Sequence, residues 1–125
     1  MRDFAIPLSH KPGELGRVAA ALSRAGVNVK SVAAMVIGNQ GMVRLIADDI
    51  DAARHALTEA HIRFEESEVV TTLRENRAGE LEDVADRLAN AGLNLQALYV
   101  VGLEGDLVEL AVVADDAKKA KKLLE

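Results

Sequence analysis

The sequence contains no cysteine and almost no aromatic residues. Without cysteine the chain can form no disulfide, thiolate metal site or cysteine nucleophile, and this composition suits a reducing cytoplasm. Aromatic residues make up only 2 % of the chain, so aliphatic side chains must fill the core and few rings remain for stacking on nucleic-acid bases. Thiol redox chemistry and base stacking are therefore poor explanations of its function.

A basic surface and a long apolar run are missing as well. The formal net charge is −5, which argues against neutralisation of a nucleic-acid backbone. Residues 1–4 show no apolar signal core, and no run approaches the roughly 18 apolar residues of a membrane span. We therefore expect a soluble, cytoplasmic protein that binds neither nucleic acid nor membrane.

An internal repeat is the most informative feature that is present. Residues 11–32 read KPGELGRVAAALSRAGVNVKSV, residues 77–98 read RAGELEDVADRLANAGLNLQAL, and the two segments align without insertion. The identical pairs are Gly13/Gly79, Glu14/Glu80, Leu15/Leu81, Val18/Val84, Ala19/Ala85, Leu22/Leu88, Ala25/Ala91, Gly26/Gly92 and Asn28/Asn94. Chance is a poor explanation of this match, so we predict two copies of one unit, residues 1–69 and residues 70–125.

The sequence pattern of each copy predicts a strand followed by an amphipathic helix. Apolar residues alternate with others over residues 4–8, and residues 70–74 hold the same place in copy two. Each helix then carries one apolar face, which comprises Leu15, Val18, Ala19 and Leu22 in copy one and Leu81, Val84, Ala85 and Leu88 in copy two. Gly26 and Gly92 are predicted to end these helices in the left-handed conformation.

A β-hairpin and a second helix are predicted to follow in each copy. Strands at 28–37 and 94–101 lead to turns at 38–41 and 102–105 that are flanked by glycine, and Asp-Asp pairs then begin the second helices. Only copy one continues into a further strand, residues 62–69. This order predicts an α+β protein of two ferredoxin-like βαββαβ modules, the second lacking its last strand and so exposing a sheet edge.

The glycine-rich turns carry a family resemblance. The sequence PGEL after a first strand, followed by AGVN at the start of a second, resembles the ACT domain family. Copy two repeats the pattern as RAGEL and AGLN, with Ala78 in place of the proline. The resemblance implies a tandem pair of ACT-type regulatory modules that bind an amino acid and act allosterically. It also implies a homodimer, with a metabolic enzyme as the candidate partner.

The resemblance also indicates which residues contact the ligand. In the family these contacts come from the loop between the first strand and the first helix and from the start of the second strand. By position they are Ser9, His10, Gly13, Leu15 and Asn28 in copy one, and Glu75, Asn76, Gly79, Leu81 and Asn94 in copy two.

Copy two resembles the serine-sensing members of the family, in which two asparagines hold the ligand. Asn76 and Asn94 match those positions, but those members carry a histidine two residues before the loop asparagine, where this chain has Leu8 and Arg74. Arg74 is suited to pair with a ligand carboxylate through two hydrogen bonds. We therefore predict the amino-acid site at the 74–79 loop of copy two and leave the identity of the amino acid open.

Each of these residues also has a purely structural interpretation. Gly13 and Gly79 fit a tight turn, and Asn28 and Asn94 fit local hydrogen bonds with the backbone after a helix. The alternative to a ligand-binding regulator is therefore an interaction module that docks on a partner and binds no small molecule.

Catalysis and metal binding find little support in the sequence. No nucleophile with a base, no paired carboxylates at a pocket and no phosphate loop is recognisable, so we expect neither enzymatic activity nor a cofactor. His55 and His61 lie six residues apart around a helix end, which is not metal-ligand spacing, and they suit surface positions. Among the histidines, only His10 falls in a predicted ligand loop.

Overall fold

A computed structural model describes all 125 residues of the chain, which form seven strands and four helices. Copy one contains β1 Arg2–Ser9, α1 Glu14–Arg24, β2 Val29–Ile37, β3 Gln40–Ala47, α2 Ile50–Glu59 and β4 Glu65–Glu68. Copy two contains β5 Val70–Glu75, α3 Glu80–Asn90, β6 Leu95–Glu104, β7 Leu107–Ala114 and α4 Ala117–Leu124. The four helices are all too short or too polar to span a bilayer.

The strands form two separate sheets with related topology. Copy one has the strand order β2-β3-β1-β4, and copy two has the order β5-β7-β6. Within each sheet the hairpin strands and the first strand run antiparallel. The predicted fold class is confirmed, because the two modules follow the βαββαβ plan and the second ends after its second helix.

The chain also divides into two compact units, one of residues 2–67 and one of residues 68–125 together with Met1. A single residue, Val69, separates β4 from β5. We retain 1–69 and 70–125 as the proposed domains.

Alternation along β1 builds the core of copy one. Phe4 and Ile6 are fully buried and pack in one cluster with Val18 and Leu22, which lie one helical repeat apart on α1. Phe64 contacts the ring of Phe4 edge-on, with the ring centroids 5.5 Å apart. The strand and the helix therefore bury the side chains that their two periodicities bring to one face.

The core of copy two is wholly aliphatic. Val84 and Leu88 on α3 pack with Val112 of β7 and with Leu124 of α4, as members of one buried cluster. The Thr72 hydroxyl, which is also buried, donates to the Leu124 carbonyl oxygen at 3.1 Å. This bond holds the end of α4 against β5 and satisfies the one buried hydroxyl of the strand.

Glycine ends the first helix of each copy, as predicted. Gly26 and Gly92 adopt left-handed φ angles of 72° and 74°, and the following residues, Val27 and Leu93, donate back to the last turn at 3.0 Å. These are Schellman-type ends, in which glycine carries no steric penalty.

The predicted apolar face of the first helices is partly wrong. Leu15 is 47 % exposed and Leu81 is 60 % exposed, whereas the valines three residues later are buried. Both leucines lie in the first helical turn, ahead of the part of each helix that packs on its sheet. Ala19 and Ala85 are exposed as well, so each helix buries a narrower stripe than the pattern suggested.

The predicted turn of the second hairpin is also wrong. β6 continues through Gly102 to Glu104, and the turn falls at Gly105 and Asp106. A two-residue hairpin turn needs a positive φ, which Gly105 supplies at 56°. Gly102 instead pairs with Glu109 inside the ladder, next to a register shift. In the first hairpin Gly38, with φ of 63°, begins the turn as expected.

An ion-pair cluster joins three elements of copy one. Glu66 of β4 accepts hydrogen bonds from Arg54 of α2 and, at 3.1 Å, from Arg2 of β1. The bonds from Arg54, followed by those from Arg2, hold the pKa of the Glu66 carboxyl below its ordinary value against the opposing effect of burial. The cluster therefore adds stability above the ordinary pKa of a glutamate and loses it as the pH falls through the lowered pKa.

The first prediction compares two leucines of α1. Leu22→Ala should lower the free energy of unfolding by about 2–5 kcal/mol, because Leu22 is 1 % exposed and its loss leaves a cavity. Leu15→Ala should change it by less than about 0.5 kcal/mol, as is usual for an exposed position. Urea unfolding followed by circular dichroism measures both, and equal losses would contradict the observed burial pattern.

Candidate functional site

The two helices that follow the glycine turns begin without a side-chain cap. Gly13 and Gly79 occupy the N-cap positions of α1 and α3 with left-handed φ angles of 91° and 93°. In contrast, Asp49 and Asp116 cap α2 and α4 by accepting backbone N–H groups at 3.0 and 3.1 Å. The first-turn amides of α1 and α3 thus retain the tendency of a helix N-terminus to bind an anion.

A small pocket lies beside the start of α1. Its volume is about 220 Å³. It is lined by Leu8, Ser9, His10, Lys11, Glu14 and Leu15 on one side and by Ala34, Met35, Val36, Gly41, Met42 and Val43 on the other. Three predicted ligand residues, Ser9, His10 and Leu15, are therefore brought together, and the exposure of Leu15 is explained by its place in this wall.

Sequence reasoning missed the opposite wall of this pocket. Met35 and Val36 of β2 are about half exposed, although both belong to an apolar strand. Gly41 is buried, and a Cβ atom there would lie 3.3 Å from the Leu8 carbonyl oxygen. The available signal was a strand with apolar residues on both faces, which indicates a second covered surface. The sequence pattern places Gly41 in the hairpin turn, whereas it lies in β3.

Asn28 and Asn94 each make local hydrogen bonds to an aspartate that follows the hairpin, mainly through their backbone N–H groups. The backbone N–H of Asn28 donates to the Asp48 carboxylate at 3.0 Å, and the backbone N–H of Asn94 donates to the Asp115 carboxylate at 3.1 Å. The Asn94 side-chain amide also donates to Asp115 at 3.1 Å. Each asparagine therefore joins the start of one hairpin strand to the end of the other, and neither lines the pocket beside α1.

Arg74 is engaged by carboxylates of its own module. Its guanidinium donates to Asp83 at 2.8 Å and to the Thr72 hydroxyl at 3.2 Å, and it lies 3.8 Å from Glu80. Its side chain is 13 % exposed. A ligand carboxylate at Arg74 would therefore compete with Asp83 and Glu80 for the guanidinium. Arg74 and Gly79 both line a polar groove at the start of α3, with Arg77, Ala78, Glu80, Asp83 and Arg87.

The other predicted residues of copy two hold the loop in place. The Asn76 amide donates to the Asp106 carbonyl oxygen at 2.7 Å, which fixes the loop to the hairpin turn. Glu75 forms an ion pair with Arg77 at 3.1 Å on the surface. Leu81, the counterpart of Leu15, is not among the residues that line this polar groove. The loop of copy two is thus more polar than its counterpart.

A family model decides the relationship that the repeat suggested. Residues 1–124 match the model of the ACT domain pair. The chain belongs to the ACT domain pair family. Its glycine turns, uncapped first helices and paired hairpins are accordingly features of two ACT modules, here in one chain.

Solved structures share the fold of this ACT domain pair. A protein from Bacteroides thetaiotaomicron, BT0572, has 23 % identity and a TM-score of 0.85, over 98 % of this chain and 85 % of that one. The ligand-free regulatory subunit of aspartate kinase from Thermus thermophilus has 18 % identity and a TM-score of 0.63, over 98 % and 88 %. No curated protein matches the sequence.

The second prediction concerns two glycines at the start of the first ACT helix. Gly13→Ala should lower the free energy of unfolding by about 1–2 kcal/mol, because φ of 91° is left-handed although the space around the site is open. Gly16→Ala lies in the helix, also in open space, and should raise it by about 0.5–1 kcal/mol. Urea unfolding distinguishes the two, and effects of the same sign would contradict the turn geometry.

Proposed function

We propose that this ACT domain pair is a regulatory protein that binds a free amino acid at the pocket beside α1 and catalyses no reaction. The observation that carries the proposal is the combination of an uncapped helix start at Gly13 with an adjoining pocket whose walls include Leu15 and Met35. The charged end of a small ligand can bind at the helix start, and its apolar end can contact the apolar wall of the pocket.

The geometry supports a defined orientation of the ligand. The α-carboxylate would lie at the first-turn amides of α1, where the helix dipole and the N–H groups favour negative charge. An aliphatic side chain would contact Leu15, Met35 and Val36, and the Ser9 hydroxyl and the His10 ring can accept a hydrogen bond from the α-amino group. A volume of about 220 Å³ favours a ligand of amino-acid size.

The loop of copy two remains a second proposed site. Asn76 and Asn94 match the ligand positions of the resemblance, but Arg74 and the Asn94 side chain already bind Asp83 and Asp115. These internal bonds favour copy one as the stronger site, whereas the sequence favours the 74–79 loop of copy two. A ligand in copy two would have to replace them at a cost in free energy.

A metabolic enzyme remains the proposed partner. This proposal is supported by the shared fold of structures that are named as regulatory subunits of aspartate kinase. The alternative is an interaction module without a small-molecule ligand, and the exposed apolar residues of β2 favour it in part. A cytoplasmic location also stays a prediction.

The third prediction tests the ligand with a matched pair of leucines. A thermal-shift screen of the amino acids should find one that stabilises the protein, by about 2.7 kcal/mol at 100 times its dissociation constant. Calorimetry should then show at least tenfold weaker binding in Leu15→Asn, which is about 1.4 kcal/mol, and unchanged binding in Leu81→Asn. The reverse result would place the site in copy two. No stabilising amino acid would leave the interaction module as the function.

The fourth prediction concerns a homodimer, which we propose from the apolar tip of the first hairpin. Val36 and Ile37 are 48 % and 70 % exposed at the end of β2, and a second chain there would cover them and the adjoining pocket. Light scattering should give a dimer mass for the protein and a monomer mass for Ile37→Asp. Asn39→Asp adds the same charge two residues away and should stay dimeric. A monomer mass at every concentration would exclude the dimer.

A further inference from the structure

A second groove of copy one gathers four basic side chains. His10 comes from the loop before α1, Arg17 from α1 itself, and His61 and Arg63 from the segment between α2 and β4. Neutral polar side chains, Ser9, Asn39 and Gln40, complete most of the lining of a space of about 550 Å³. Two segments that are distant in sequence, residues 10–17 and residues 61–63, thus place guanidinium and imidazole groups around one opening.

The groove is positive in a module that has no excess of basic residues. Residues 2–67 contain eight Lys or Arg and eight Asp or Glu, yet no acidic residue lines the groove. Of its two arginines, Arg17 also pairs with Glu14 at 3.4 Å, just outside the lining. Like charges in one opening repel each other unless an anion lies between them. Copy two carries Asn76 and Asp83 at the positions of His10 and Arg17 and has no such cluster.

The backbone at His61 gives independent support. The His61 amide donates to the Thr58 carbonyl at 3.1 Å and the Ile62 amide to Leu57 at 3.0 Å, so α2 ends in the same Schellman geometry as α1 and α3. Those two helices use glycine at this position, but α2 uses His61, the only residue other than glycine with a positive φ, at 56°. His61 thus adopts a φ that glycine adopts at lower cost, and its side chain lines the groove.

We propose that this groove binds an oxyanion group, either a phosphate or a pair of carboxylates, on a small metabolite. Arg17 and Arg63 offer planar forks of N–H donors, which match the oxygen spacing of carboxylates and phosphates. His10 and His61 add imidazole donors, and the Asn39 and Gln40 amides add neutral ones.

The anion site does not rest on the proposed amino-acid site, although the two share Leu8, Ser9 and His10. Of these two openings, Arg17 and Arg63 line the groove but not the apolar pocket, and Leu15 lines the apolar pocket but not the groove. Failure of one proposal is therefore distinguishable from failure of the other: Leu15→Asn should not change phosphate binding, and Arg63→Gln should not change amino-acid binding.

The fifth prediction uses inorganic phosphate and succinate as probes, with sodium chloride at equal ionic strength as the blank. Isothermal titration should show that one of the two probes binds more strongly than the blank. Binding of phosphate would indicate a phosphate ligand, and binding of succinate would indicate a ligand with two carboxylates. Arg17→Gln and Arg63→Gln should each weaken this binding at least fivefold. Arg24→Gln removes the same charge from an exposed position of α1 outside the groove and should leave it unchanged. Equal losses in all three variants, or no binding above chloride, would overturn the proposal.

A His61→Gly variant gives two readouts of opposite sign. Glycine relieves the strain at φ of 56°, so the melting temperature without ligand should rise. Binding of the probe should nevertheless weaken at least threefold, because an imidazole donor is lost from the groove. A higher melting temperature with unchanged affinity would show that the histidine serves no anion and would overturn its place in the site.

Discussion

A left-handed glycine between the first strand and the first helix is the constraint on which both modules depend. At φ angles of 91° and 93°, Gly13 and Gly79 turn the chain so that α1 and α3 start where β1 and β5 end. A glycine cannot cap a helix with a side chain, so the same turn leaves the first amides uncapped. In each module, one glycine thus both makes the turn that the fold requires and leaves helix N–H groups to which a ligand can bind.

The two copies use this shared turn for different surfaces. In copy one, Leu8 and His10 precede the glycine, and the start of the helix borders an apolar pocket. In copy two, Arg74 takes the place of Leu8 and closes onto Asp83, which fills the corresponding surface with ion pairs. An ion pair inside the module satisfies its own charges, whereas an apolar pocket beside uncapped amides leaves a surface that a ligand can complement.

The fold was largely predictable because the repeat supplied each periodicity twice. The alternation that buries Phe4 and the helical spacing that buries Val18 are visible in the sequence, as are the left-handed ends at glycine. The exposure of Leu15 was not predictable, because periodicity gives a helix face but not how far the sheet extends beneath it. The loop residues of the candidate site were predicted from the resemblance. Met35, on the facing strand, depends on a tertiary contact that spacing alone does not give.

The α2 helix shows where local stability and surface chemistry conflict. Gly26 and Gly92 make the Schellman end without strain, so the chain had an available solution that it does not use at His61. Nothing in the hydrogen bonds of that helix end requires an imidazole, because they are formed by the backbone alone. His61 costs more than glycine at this φ and adds no bond to the helix end, and its side chain lines a groove that also contains two arginines. The rest of the module, through its buried core and its Glu66 cluster, supplies stability that offsets this local cost.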